Sequence, residues 1–361
     1  MAHSPVYSGF VLLSAGPIGD HMVCLDVANH FLAATGKPVS VIVKHPNPFL
    51  AELGEGYSKK INQIPFTTRR GKFLLLKLLL KSIVQPYCYI LFFPIPAPGY
   101  LKVFATCIRF ATRSRVVGLH LEGTRSFPEG QGYGRWLGMN NTILMKPEGF
   151  TETANRLLVW LGYKSIEWIP QLPFTEDDSV FSKMHIKGNK YIVMHLNSSG
   201  FFRSLPADRW NIIIRALLAK TDLPIVFSGS KGDSSFIESC IKDIASDRLI
   251  NVSGLTTTRE LLTLYKNAAV CVTVQTGNGL IINMLHVPTV VVNIKGTSMF
   301  DYSFNRYATN LYSSQDCTCN VFETECTLLP YKGKFYMACL FNLHEEEIVD
   351  AITAKIHERK N

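Results

Sequence analysis

Three short stretches carry residues able to do chemistry. In the first, Gly16-Pro17-Ile18-Gly19-Asp20 follows a strand pattern over Ser8 to Ser14 and precedes a helical pattern over His21 to Thr35. Glycines there let the backbone turn sharply and approach a ligand closely. Asp20 then has two readings. It caps the helix, a position aspartate favours, or it is a carboxylate held at the mouth of a strand, facing a cleft. In the second stretch, a strand over Tyr191 to Leu196 ends in Asn197-Ser198-Ser199-Gly200, with Arg203 and Pro206 just beyond. In the third, Gln275-Thr276-Gly277-Asn278-Gly279 separates the β-branched run Val270 to Val274 from the apolar run Leu280 to Leu285. A turn at the carboxyl end of a parallel strand is where open α/β sheets bind ligands. The N–H groups and dipole of the helix that follows favour an anion, typically a phosphate. The plainer reading is that Gly277 and Gly279 only permit a tight turn. The full G-x-G-x-x-G fingerprint is absent, so a dinucleotide site is not indicated.

These stretches need elements to hold them. Ala269 to Ile294 reads as strand, turn, helix and strand, with Pro288 closing the helix and Thr289 to Ile294 forming the second strand. Upstream, strands over Pro38 to Lys44, Tyr87 to Phe93 and Arg115 to Leu119 alternate with helices over Leu101 to Thr112 and Phe150 to Leu161. Downstream, strands over Pro224 to Ser228 and Ile250 to Val252 alternate with helices over Asp208 to Lys220, Ser234 to Ala245 and Thr258 to Asn267, and Glu345 to Arg359 is a final helix. Trp210, Ile213, Ile214, Leu217 and Leu218 recur at helical spacing and belong to a core. Alternating strands and helices predict parallel sheets. Around Pro170, Pro173 and Thr175-Glu176-Asp177-Asp178 the pattern lapses. This divides the chain into a first domain over 1–165, a linker over 166–188 and a second domain over 189–361 with a cysteine-containing tail.

Composition narrows the function. The chain has 361 residues, 47% of them apolar and 18% charged, which suits two packed domains and argues against disorder. A net charge of +9 points to a polyanionic partner: nucleic acid, anionic lipid or phosphorylated glycan. The cations fall in small clusters, at Lys59-Lys60, Arg69-Arg70 and Arg109 to Arg115. Without a long basic run interleaved with aromatics, a dedicated nucleic-acid reader is not expected. Phe10 to Leu13 is too short for a signal peptide, and Phe73 to Val84, broken by Lys77 and Lys81, is too short to span a bilayer. Nine cysteines, an odd number over a long chain, argue against a disulfide framework. A cytoplasmic protein is expected, with peripheral contact at the inner membrane through the basic and apolar segment Gly71 to Lys81. The competing and favoured reading of that segment is a helix packed on its own sheet with its lysines snorkelling outward.

The order of motifs is more specific than any one of them. Gly16-x-x-Gly19-Asp20 follows the first strand. A strand then ends in Asn197-Ser198-Ser199-Gly200, followed by Arg203 and Pro206. Gly229-Ser230 precedes Asp233, Gly254 precedes Thr256-Thr257, and Thr276-Gly277 opens the last βαβ unit. This order resembles glycosyltransferase family nine, the bacterial heptosyltransferases of lipopolysaccharide core assembly, over nearly the whole chain. The resemblance implies a GT-B fold of the α/β class: two Rossmann-like domains facing each other across a cleft, acceptor on the first and ADP-sugar on the second. It implies an inverting transfer from an ADP-heptose donor that requires no metal or cofactor for catalysis. Asp20 matches the general base, since an acceptor hydroxyl is a poor nucleophile until a carboxylate takes its proton. Arg203 matches the basic residue on the donor phosphates. Asp233 matches an acid on the ribose, with a plain N-cap or a solvent-facing acid as its competing reading. Thr256 and Thr257 match the segment near the base. Thr276 and Gly277 match the turn on the diphosphate. With Asn197, Ser198, Gly200, Gly229, Gln275, Asn278 and Gly279 they make up the expected donor site. The implied partners are a nucleotide-sugar and an anionic glycolipid or glycan acceptor.

Two positions depart from the family pattern: Gln275 stands where an aspartate is usual, and Leu280 where a histidine is usual. A glutamine keeps hydrogen bonding without charge; a leucine keeps neither. Both bear on the donor sugar, and they motivate the alternatives of a family-nine transferase with another nucleotide sugar or a non-catalytic glycan- or nucleotide-binding relative. In the tail, Cys317, Cys319, Cys326 and Cys339 have two readings: a tetrahedral zinc or iron site, or buried free thiols. The C-x-C start is tighter than the usual zinc spacing.

Overall fold

The computed structural model describes residues 7–14, 18–43, 61–91, 108, 112, 114–121, 141–145, 149–186, 190–198, 203–294, 302, 304–313 and 327–358. Two compact units divide between Pro173 and Phe174.

In the first unit the strands are β1 (Gly9–Ser14), β2 (Val39–Val43), β3 (Ile61–Pro65), β4 (Tyr87–Leu91), β5 (Arg115–Leu121) and β6 (Asn141–Met145). They form one sheet in the order β3-β2-β1-β4-β5-β6, every pairing parallel. The helices are α1 (Ile18–Thr35), α2 (Arg69–Val84) and α3 (Phe150–Trp160). All six residues of β1 are buried. That is why it reads as an unbroken apolar run: a central parallel strand is covered on both faces.

The second unit begins with α4 (Ser179–Lys183) and repeats the plan. Its strands are β7 (Ile192–His195), β8 (Ile225–Phe227), β9 (Leu249–Asn251), β10 (Val270–Val274), β11 (Thr289–Val292) and β12 (Ala308–Leu311). They lie in the order β12-β11-β10-β7-β8-β9, again all parallel. Both sheets are therefore doubly wound, and the chain reverses direction between the first and fourth strands of each. The connecting helices are α5 (Ala207–Lys220), α6 (Ser234–Cys240), α7 (Thr258–Asn267) and α8 (Gly277–Met284). A hairpin of β13 (Leu328–Tyr331) and β14 (Lys334–Met337), then α9 (Ala338–Phe341) and α10 (Glu345–Glu358), complete it. Trp210, Ile213, Ile214 and Leu217 pack into one core with β7, β8 and β10 as their spacing predicts, while Leu218 is only partly buried.

The structure departs from the sequence reading at the sheet edges. Strands β3, β6 and β12 were not expected. Each is an outermost strand, and β3 (Ile-Asn-Gln-Ile-Pro) buries only Ile64 fully, so it lacks the long apolar run that marks a central strand. Helix α6 ends at Cys240 rather than Ala245. Helix α1 begins at Ile18, so Asp20 lies within its first turn rather than capping it. Helix α8 begins at Gly277, so Gly277, Asn278 and Gly279 are its first turn rather than a loop before it. The helix expected over Leu101 to Thr112 lies largely outside the described residues. Both halves of the expected linker are held down. Asn155 bonds Ile166, and Trp168 Nε1 donates to Asp26 at 2.8 Å in the first unit. In the second, Asp177 N donates to Thr263 Oγ1 at 2.8 Å and Lys183 pairs with Glu260 at 2.9 Å.

Candidate functional site

The second unit's reversal point lies between the adjacent strands β7 and β10, and their carboxyl ends carry Asn197 and Gln275. Thr276 caps α8: its Oγ1 accepts from Gly279 N at 3.0 Å, and its carbonyl accepts from Leu280 N. Gly277 and Asn278, half-buried, supply the first two amides of the helix, which have no intrahelical acceptor. Gly279 is buried, and a Cβ on it would come within 2.9 Å of the Val274 carbonyl. The helix can start this close to the strand only without a side chain there. The result is a pair of N–H groups at the positive end of a helix dipole, a suitable seat for a phosphate.

That first turn is braced from below by a chain of hydroxyls and one imidazole. His195 Nε2 lies 3.2 Å from Asn278 Nδ2, and its Nδ1 lies 3.3 Å from Ser228 Oγ, which lies 3.1 Å from Tyr265 Oη. Burial lowers the His195 pKa to about 4, so the ring is neutral near neutrality. Nε2 can then accept from the Asn278 amide while Nδ1–H donates. In the sequence His195 is hidden within the strand pattern Tyr191 to Leu196. Its one signal was a polar ring in an otherwise apolar run, which must find partners when buried.

Arg203 is half-buried in the segment that follows β7. Burial raises the Tyr302 pKa, and the nearby Arg203 charge opposes that rise. Tyr302 Oη donates to the Thr276 carbonyl at 3.5 Å, so the tyrosine that feels the Arg203 charge is bonded to the start of α8. Ser204, next in sequence, is buried and donates to the Leu196 carbonyl at 2.5 Å, while Trp210 Nε1 donates to Ser204 Oγ at 3.2 Å. These bonds fix the Arg203 segment to the end of β7, a function for Ser204 and Trp210 that the sequence did not disclose.

At the ends of β7 and β8, Asp233 is tied down. Asn197 Nδ2 donates to its Oδ1 at 2.8 Å, and Ser230 N and Oγ both donate to its Oδ2 at 2.7 Å. Burial would raise its pKa, but those hydrogen bonds hold it below the ordinary carboxylate value. A Cβ on Gly229 would fall within 2.9 Å of the Asp233 Cβ, so glycine lets the carboxylate fold back. Asp233 thus closes a reciprocal box in which Ser230 is the cap, whereas at the start of α6 its side chain makes no cap bond, so it is not the plain N-cap that competes with the ribose role. Thr257 likewise caps α7, in a reciprocal box with Glu260, while Thr256 is half-buried beside it. Gln275 and Leu280 are both buried, Leu280 at 1% exposure.

Asp20 belongs to the first unit. It is buried in the first turn of α1, at the carboxyl end of β1, where that sheet reverses. Burial pushes the Cys24 thiol up, and the Asp20 charge one turn earlier adds to this. Ser198 follows Asn197 at the β7 end, half-buried, and Gly200 lies outside the described residues. So do Cys317, Cys319 and Cys326, while Cys339 is buried in the apolar core beside Met337 and Leu340. Among the described residues no group of three or more His, Cys, Asp or Glu side chains is placed to hold a metal.

No family model and no curated protein matches the chain. Solved structures do. ADP-heptose lps heptosyltransferase II of E. coli superposes with a TM-score of 0.66 at 12% identity, covering 98% of this chain and 100% of that one. A family 9 glycosyl transferase of Veillonella parvula gives 0.69 at 13% identity, covering 99% and 100%. The UDP-GlcNAc 2-epimerase of Methanocaldococcus jannaschii gives 0.53 at 13% identity, covering 98% and 94%. The chain thus has the α/β fold of the GT-B class, two parallel-sheet units in sequence, as the motif order predicts.

Proposed function

We propose that this protein is an inverting, metal-independent glycosyltransferase that takes a sugar from a nucleoside-diphosphate donor, with ADP-heptose the first candidate, and places it on a lipopolysaccharide core or related cell-surface glycan. The observation that carries the reading is the capped start of α8, with Arg203 beside it through Tyr302. The diphosphate sits on the Gly277 and Asn278 amides. Asp20 takes the proton of an acceptor hydroxyl, whose oxygen attacks the anomeric carbon from the face opposite the leaving group. The bond from that carbon to the diphosphate breaks, and its electron pair leaves with the diphosphate. Arg203 and the helix dipole stabilise the charge that grows there, the task a metal ion performs in other transferases. Asp233 keeps lone pairs beyond those it gives Asn197 and Ser230, enough to accept a ribose hydroxyl. Structural likeness to two transferases over nearly the full chain supports the reading.

A second reading is a nucleotide-sugar protein that does not transfer. It is motivated by the likeness to an epimerase and by Gln275 and Leu280. The two separate on incubation of the protein with a panel of ADP- and UDP-sugars and a cell-envelope glycolipid extract. Nucleoside diphosphate released only when extract is present, with a glycolipid gaining one sugar mass, supports transfer. Donor binding by calorimetry with neither release nor mass gain would contradict it, and turnover abolished by EDTA in folded protein would contradict metal independence.

A further inference from the structure

Helix α2 has two faces with different fates. Leu78 is buried, and Leu74, Leu75 and Leu79 pack against the first unit's core beside Ile64, Tyr87 and Tyr89. Ser82 Oγ bonds Tyr89 Oη at 2.6 Å, and Thr68 caps the helix start through Gly71 N at 2.9 Å. The helix is therefore seated firmly on its sheet. The outer face is also apolar. Phe73, Leu76, Leu80, Ile83 and Val84 are between 49% and 72% exposed. Their spacing of three, four, three and one puts them on one stripe about 16 Å long. Arg70, Lys77 and Lys81 form a second exposed stripe along its flank, and Arg69 and Lys72 stand at its start. From Gly56 to Leu121 the chain has eleven lysines and arginines and no aspartate or glutamate, more positive charge than the whole protein's net +9.

We infer that the outer face of α2 docks on an anionic lipid bilayer surface. The apolar stripe enters the boundary between headgroups and acyl chains, and the flanking cations meet lipid phosphates. Polar backbone groups stay satisfied within the helix, which lies flat; no helix among the described residues is long and apolar enough to cross. A nucleic acid would meet the cations but leave the five apolar side chains in water. A second copy would set the exposed cations of one α2 against those of another. Lysine stems can lie along the apolar stripe while their ammonium groups reach the phosphates. This inference does not depend on the proposed transfer reaction.

The full-length protein should sediment with vesicles of phosphatidylcholine plus phosphatidylglycerol, not with phosphatidylcholine alone, and added salt should weaken the binding. Phe73→Ser with Leu80→Ser, and separately Lys77→Glu with Lys81→Glu, should each lower the partition by roughly tenfold or more. Circular dichroism of both variants should match the parent. A third variant, Leu80→Trp, should show a blue-shifted emission only with anionic vesicles. Failure of the parent to bind anionic vesicles overturns the proposal, as does undiminished binding by both folded double variants. If a double variant does not fold, the Leu80→Trp emission decides, and no shift rejects the docking. A parent that is dimeric on gel filtration, monomeric as either double variant and indifferent to vesicles would assign the face to a second copy instead.

Discussion

The Asn278 side-chain amide lies 3.2 Å from the Nε2 of His195, so the first turn of α8 is attached to the end of the neighbouring strand β7. The attachment holds because His195 is fully buried and neutral, with Nδ1 turned toward Ser228. It fixes the turn that the proposed diphosphate would occupy. His195→Phe removes the acceptor and leaves Ser228 and Asn278 without it. Stability should fall by about 1–3 kcal/mol, the usual cost of an orphaned buried group. Binding of ADP or UDP, measured by calorimetry on folded protein, should weaken by roughly tenfold or less, in line with the net worth of one such hydrogen bond. Unchanged affinity would mean that the bond does not position the turn.

Acid should act differently on the two units. Burial lowers His195 and His30 to about 4, so each stays neutral in the fold while it titrates near 6.5 in the unfolded chain. Stability from these groups is complete above about 6.5 and is lost as pH falls toward 4. Asp26 runs the other way. Burial raises it to about 7, against the opposing hydrogen bond from Trp168, so its contribution is complete below about 4 and is lost as pH rises toward 7. In the first unit Asp26 and His30 oppose each other over the same range. Asp26→Asn keeps an acceptor for Trp168 and should steepen the gain of stability between pH 4 and 6.5 in urea unfolding. An unaltered slope would place the Asp26 titration elsewhere.

Asp20→Asn should retain donor binding and lower turnover by roughly 10²–10⁴-fold, the range for removal of a general base. Because Asp20 lies in the first turn of α1, loss of its charge should also cost about 0.3–1 kcal/mol from the helix dipole. Near-parental turnover would remove it from the base position.

For Arg203→Ala, transfer should slow more than donor binding weakens, because the guanidinium acts most strongly on charge present in the transition state. Arg203→Lys should recover part of the rate, since the charge returns without the planar fork. Equal losses in kcat for both variants, with donor affinity unmoved, would argue for a purely structural side chain.

Donor choice should respond to Gln275 rather than Leu280. Leu280 is 1% exposed, so Leu280→His would bury an imidazole and lower stability by about 1–3 kcal/mol before it touched specificity. Gln275→Asp restores the carboxylate of the family pattern on a side chain one methylene shorter; it too buries its new group, at 3% exposure, but it keeps a hydrogen-bonding side chain and should shift calorimetric preference toward ADP-heptose over other nucleotide sugars. Tight ADP-heptose binding by the parent, unimproved by the substitution, would show the glutamine to be silent.

Sequence alone determined what depends on near neighbours. A strand such as Val270–Val274 needs only a short β-branched run, and Thr276 needs only the amide three residues on to act as a cap. The order of these local signals was enough to anticipate two parallel sheets and the α8 turn. The edge strand β3 escaped because Asn62, Gln63 and Pro65 interrupt any apolar run, and it owes its conformation to pairing with β2. Contacts between residues far apart in the chain were decided by the tertiary structure: His195 against Asn278, Tyr302 against Thr276, Trp168 against Asp26. So was the fate of α2. Its leucines run almost without interruption, and nothing local says which of them the sheet will cover. Only the packing of Leu78 against the core leaves Phe73, Leu76 and Leu80 on the outside.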